Sequence, residues 1–113
     1  MAASAPNNFS ALLNDILVRL KQTHVIVALI IPFREGSNSA HGSYNVAIAG
    51  IALSKRPRVS IVDMQDILSS SDYADSVHPN TEGYDKMART WEQAIREVLS
   101  TSTHRSSSQP RER

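Results

Sequence analysis

Residues 24–32 read HVIVALIIP, an unbroken apolar run rich in β-branched side chains that closes on a proline. Such a run predicts a strand of a parallel sheet covered on both faces. A second run, RVSIVDM at 58–64, predicts another strand. Between them Tyr44, Ala47, Ile48, Ile51 and Ala52 recur at helical spacing, with Lys55 and Arg56 expected in the last turn and Pro57 as the stop. Residues 24–64 therefore read as one strand, crossover helix, strand unit whose two strands run parallel.

The flanks follow the same logic. Phe9, Leu12, Leu13, Ile16, Leu17 and Leu20 predict an amphipathic helix over 9–22, with Asn7 or Asn8 as its cap. Tyr84, Met87, Ala88, Trp91, Ile95, Val98 and Leu99 predict a final helix over 81–100, capped by Asn80 or Thr81, with Trp91 and Met87 in the core. FREGSNSAHGS at 33–43 has no periodicity and predicts a loop. The expected organisation is an extension over 1–8, one domain over 9–100, and a serine-rich, basic, disordered tail over 101–113.

Composition narrows the classes. A chain of 113 residues holds one small domain. With no cysteine, disulfides, thiolate-held zinc, iron-sulfur clusters and thiol catalysis are excluded. Twelve basic and 11 acidic residues leave a net charge of +1, which supplies no field suited to nucleic acid or an anionic membrane. MAASAPNNFS has no basic segment followed by an apolar core, so no signal peptide is expected, and the run at 25–31 is too short to span a bilayer. The cellular compartment stays open.

The chemistry concentrates in SDYADSVHPNTEGYDKMARTW at 71–91. Loops leaving the carboxyl ends of parallel strands form the usual ligand crevice, and the segments 33–43 and 69–80 both leave that edge. Pro79 disfavours the α region for His78 and so delays the helix. A turn can bring the Asp75 carboxylate onto the Nδ1 proton of His78, leaving Nε2 free to act as a base. Taken alone, the D-x-x-H spacing is a weak signal that many loops contain, and it more often marks a structural histidine that only caps or hydrogen-bonds.

The stretch DYADSVHPNTEGYDKMARTWEQAI resembles the C-terminal block of the SGNH, or GDSL-type, hydrolases, in which D-x-x-H-P-N introduces the last helix. HVIVALIIPF, YNVAIAGI and VSIVDMQDIL follow the order seen in the carbohydrate-esterase-like branch, and the resemblance covers about Phe9 to Leu99. It implies a flavodoxin-like three-layer α/β/α fold with parallel strands, ester hydrolysis by a Ser-His-Asp triad without metal or cofactor, Asp75 as orienting acid and His78 as base. The G-D-S nucleophile motif and the G-x-N-D oxyanion motif of that family do not occur in this chain. The resemblance therefore implies a partial fold, its N-terminal strands missing, with two strands of the usual five. Members of that family are often secreted.

No substitute nucleophile is identified. Ser37, Ser43, Ser69, Ser70 and Ser71 do not lie on a strained strand-to-helix elbow, and Asn14-Asp15 reads as a solvated helix face. His24, His41 and His78 show no zinc-ligand spacing. Two functions are compatible with these residues: an ester hydrolase acting on an acylated carbohydrate or small ester, or a catalytically inactive remnant serving as an interaction module. The strand at 25–31 is expected to present an unpaired edge, and self-association through it is the expected physical consequence.

Overall fold

The computed structural model describes residues 4–107. Helix α1 (Ser4–Arg19) leads to strand β1 (Val25–Leu29), helix α2 (Ser39–Leu53), strand β2 (Val59–Asp63), a single 3₁₀ turn (Ser70–Asp72) and helix α3 (Thr81–Ser107). β1 and β2 pair in parallel, with Val25 opposite Val59 and Leu29 opposite Asp63. The result is a three-layer α/β arrangement around a two-stranded sheet.

One sheet face, carrying Val27, Leu29 and Val59, closes on Leu13 of α1 and on Ile48 and Ala52 of α2. α2 contacts both α1 and the sheet and buries Asn45, Ile48 and Ala52, while Val46 and Leu53 on its outer stripe stay exposed. Val62 and Met64 are buried on the other side, where α3 rests against β2.

Several boundaries differ from those read in the sequence. α1 begins at Ser4, inside the stretch 1–8 assigned to an extension, because Pro6 is tolerated in a first turn whose N–H groups have no partner anyway. Asn7 and Asn8 are thus exposed helical residues rather than caps. α1 stops at Arg19 instead of 22. The Arg58 guanidinium donates to the carbonyls of Leu17 (2.8 Å), Leu20 (2.6 Å) and Thr23 (3.1 Å), holding the chain in a turn.

α2 starts at Ser39, ahead of the expected Tyr44, so His41, Gly42 and Ser43 are helical. It also ends at Leu53, which leaves Lys55 and Arg56 in the following turns. α3 runs through Ser107, so residues 101–107 of the expected tail are helical; residues 108–113 of that tail, like 1–3, lie outside the described residues. Among the described residues no helix is long and apolar enough to cross a membrane.

Trp91 and Met87 are half-buried, not core. The reason is length: a helix of 27 residues extends roughly 40 Å, whereas five-residue strands offer roughly 17 Å to lie on. Tyr84 (53%), Ile95 (45%) and Leu99 (59%) consequently remain exposed.

Candidate active site

The site is assembled where the loops after β1 and β2 meet. Beyond Leu29 the backbone of β1 is held by a side chain rather than a strand. The buried Asn45 of α2 accepts from Ile30 N–H (2.9 Å), donates to Ile30 C=O (3.0 Å) and donates to Gln65 Oε1 (3.3 Å). Asn38 repeats the clasp on Phe33, accepting its N–H at 2.7 Å and donating to its carbonyl at 3.2 Å. This is why the strand is shorter than the apolar run and why Asn38 does not cap α2 with its side chain.

The second loop docks on the first. Arg34 N–H donates to Ser76 C=O (2.8 Å), and the buried Tyr73 hydroxyl donates to Pro32 C=O (2.6 Å). Burial, reinforced by the neighbouring Asp72 charge, pushes the Tyr73 phenol above its ordinary pKa. Tyr73 also bridges Pro79 in antiparallel fashion, with Ala74 N–H donating to His78 C=O at 2.8 Å. The loop is therefore a closed turn with Asp75 and His78 on it.

Its base is anchored by a buried carboxylate. Asp72 accepts from Lys86 Nζ (2.7 Å), from Ser69 N–H (2.8 Å) and from the Ser69 hydroxyl (3.1 Å). The Lys86 hydrogen bond, followed by the Ser69 N–H, holds its carboxyl below the ordinary value against the opposing effect of desolvation. Asn80 caps α3 as the sequence suggests, accepting from Gly83 N–H at 2.9 Å.

Asp75 and His78 meet within this turn. Asp75 Oδ1 accepts from the backbone N–H groups of Val77 (2.8 Å) and His78 (2.7 Å), and Oδ2 lies 2.9 Å from His78 Nδ1. Because the partner is a carboxylate, Nδ1 is the donor, and Nε2 carries the lone pair. The Val77 N–H first, then the His78 side chain and its N–H, lower the Asp75 pKa to about 2. The pair is a surface feature, with side chains 66% (His78) and 57% (Asp75) exposed, so its value is orientation rather than stability.

A depressed carboxyl pKa gives support that is full above the ordinary value of 3.8 and is lost as pH falls through about 2. The turn is accordingly expected to hold unchanged from neutral pH down to about 4. A carboxyl-carbon titration of Asp75 by NMR checks this: a midpoint near 2 is expected, and one near 4 would show that the two N–H contacts are not formed in solution.

The other candidates fall elsewhere. Ser69 and Ser71 hydroxyls pair with each other (3.1 Å), as do those of Ser37 and Ser39 (3.1 Å), and no hydroxyl among the described residues hydrogen-bonds His78. His24 Nε2 lies against the Ser60 hydroxyl (2.9 Å), and His41 meets the Phe33 ring edge-on at 4.4 Å, so the three histidines do not converge. Asn14 and Asp15 are exposed on α1, with Asp15 paired to Arg19. Clefts of about 370 and 520 Å³ lie along α3 away from His78, which projects from open surface.

Sequence reading missed the supporting residues. Asn45, a lone amide in the apolar stretch YNVAIAGIAL, carried a usable signal, since a polar side chain there must find buried partners. Asp72 and Lys86, fourteen residues apart, carried none.

No family model and no curated relative matches the sequence. Among solved structures, the chain is similar to the crystal structure of a carbohydrate esterase family 3 protein from Talaromyces cellulolyticus, with a TM-score of 0.70 and 24% identity. The superposition covers 88% of this chain and 51% of that one, so this chain spans about half the length of its neighbour. The likeness is one of fold: over the matched region the chain has the same α/β arrangement as part of that structure.

Proposed function

We propose that this chain is the Asp/His-bearing half of an ester hydrolase acting on acylated carbohydrates or small esters, with His78 as base and Asp75 as its orienting acid. The observation that carries the reading is the Asp75–His78 pair, whose carboxylate is fixed by two backbone N–H groups and holds Nδ1 of an imidazole that is 66% exposed. The fold shared with a carbohydrate esterase supports the substrate class. In such a reaction Nε2 takes the proton of an attacking hydroxyl as its oxygen bonds the ester carbon. The imidazolium is balanced by Asp75, and the proton then passes to the departing alcohol oxygen. Water enters by the same base to release the acid.

Among the described residues no hydroxyl hydrogen-bonds His78. This favours a second reading, a non-catalytic interaction module. With the chain alone, an acetylated oligosaccharide is expected to be hydrolysed at the background rate, unchanged by His78→Ala. Turnover abolished by His78→Ala and by one of Ser37→Ala, Ser43→Ala or Ser71→Ala would place a nucleophile within these residues. In a fusion to the part of the Talaromyces esterase that this chain does not cover, His78→Ala is expected to lower kcat by about 10⁴-fold. An active fusion indifferent to that substitution refutes catalysis by this pair and leaves the interaction module.

A further inference from the structure

We infer that the cleft where the two strands begin is a binding site for a small organic anion, a monocarboxylate with a short apolar tail. The net charge of +1 conceals a separation along the sheet. Lys21, Lys55, Arg56 and Arg58 sit in the turns that lead into β1 and β2, whereas Asp63, Asp66, Asp72 and Asp75 follow one another from the end of β2. Among the described residues none of those four cations has an ion-pair partner. Two of them, Lys21 and Arg58, line a cleft of about 520 Å³ between these turns, β2 and α3. That volume lies in the range of small-molecule sites.

Arg58 is half-buried, and a guanidinium partly withdrawn from water calls for a negative charge nearby. Its three carbonyl partners satisfy hydrogen bonds but carry no net charge, and they occupy only three of the five N–H donors. Lys21 likewise spends one proton on Val18 C=O (3.2 Å). Cations held in a concave wall focus a positive potential on what enters it. The rest of the lining selects the body of the ligand. Ile61, Ala94 and Val98 offer apolar contact from β2 and α3, which suits a hydrocarbon tail. The His24–Ser60 pair (2.9 Å) adds hydrogen-bonding capacity for a carboxylate oxygen. Glu97 accepts from Gln93 (3.0 Å) and pairs with neither cation; as the single carboxylate among the described lining residues, it disfavours a dianion. The cleft lies away from His78, so this inference does not rest on the proposed function.

The test titrates hexanoate into the 113-residue chain at low ionic strength and follows backbone amides by NMR. Saturable shifts are expected at Thr23, Ser60, Ile61, Ala94 and Val98, with a Kd on the order of 1 mM. Acetate, which lacks the tail, and hexanamide, which lacks the charge, are each expected to bind at least about tenfold more weakly. Lys21 and Glu97 are both exposed, so Lys21→Gln and Glu97→Gln leave the fold intact, which unchanged amide spectra outside the cleft verify. The first is expected to weaken hexanoate binding at least about threefold and the second to tighten it at least about twofold. Added salt should weaken binding to the parent chain. No saturable shift, shifts confined to the Asp75–His78 turn, hexanamide binding as tightly as hexanoate, or either variant binding like the parent overturns the inference.

Discussion

Asn45→Asp is expected to destabilise the protein by about 3 kcal/mol near neutral pH, although the two side chains have nearly the same shape. Asn45 is buried and uses both ends of its amide, accepting from Ile30 N–H and donating to Ile30 C=O and Gln65 Oε1. A carboxylate keeps the first contact and turns the other two into oxygen facing oxygen, inside a site with little water. Burial favours the neutral acid, so the folded-state pKa of the new carboxyl rises above its ordinary value. Stability should then recover as pH falls and decline as pH rises through that value, the reverse of the Asp75 effect. Urea midpoints near pH 4 and pH 7 check this. A variant as stable as the parent at neutral pH would show that Ile30 is not clasped by Asn45.

Gly83→Ala is expected to cost about 2 kcal/mol, and its consequence reaches the site. A Cβ at this position would collide with the Asp72 carbonyl oxygen and stand 2.9 Å from Pro79 Cβ. Overpacking against backbone costs about 3 kcal/mol at the upper end, since a carbonyl cannot rotate aside, and the better helix propensity of alanine returns about 1. The strain falls on the segment from Asp72 to Pro79, which carries Asp75 and His78. Thermal unfolding should drop by roughly 10 °C, with the Asp75 carboxyl titrating closer to its ordinary value. Gly50→Ala, where the new Cβ meets nothing within 4 Å, is the control and should stabilise slightly.

These two positions show why the sequence was legible in some places and opaque in others. The strands, their parallel pairing and three helices follow from local periodicity, and each of them forms. The Asp75–His78 contact was legible because it is local, three residues closed by a turn ahead of Pro79. Boundaries went astray where a side chain did the work of backbone: Arg58 at the end of α1 and Asn45 at the end of β1 act across 41 and 15 residues. The overextended burial of Trp91 has a different origin. Periodicity says which face of a helix is apolar, and only the width of the sheet beneath it decides how much is covered.

The three carbonyls gathered by Arg58 have a consequence for how the molecule opens. They tie the end of α1 to the residue just before β2, while α2 contacts both α1 and the sheet. α1, α2 and both strands are therefore expected to open largely as one unit, with their inner amides exchanging at similar rates. α3 joins that unit mainly at β2 and the 3₁₀ turn, through Lys86 on Asp72. The histidine loop lies where α3 meets that unit, so an opening of α3 that breaks Lys86 from Asp72 is expected to disorder the Asp75–His78 turn before the strands part.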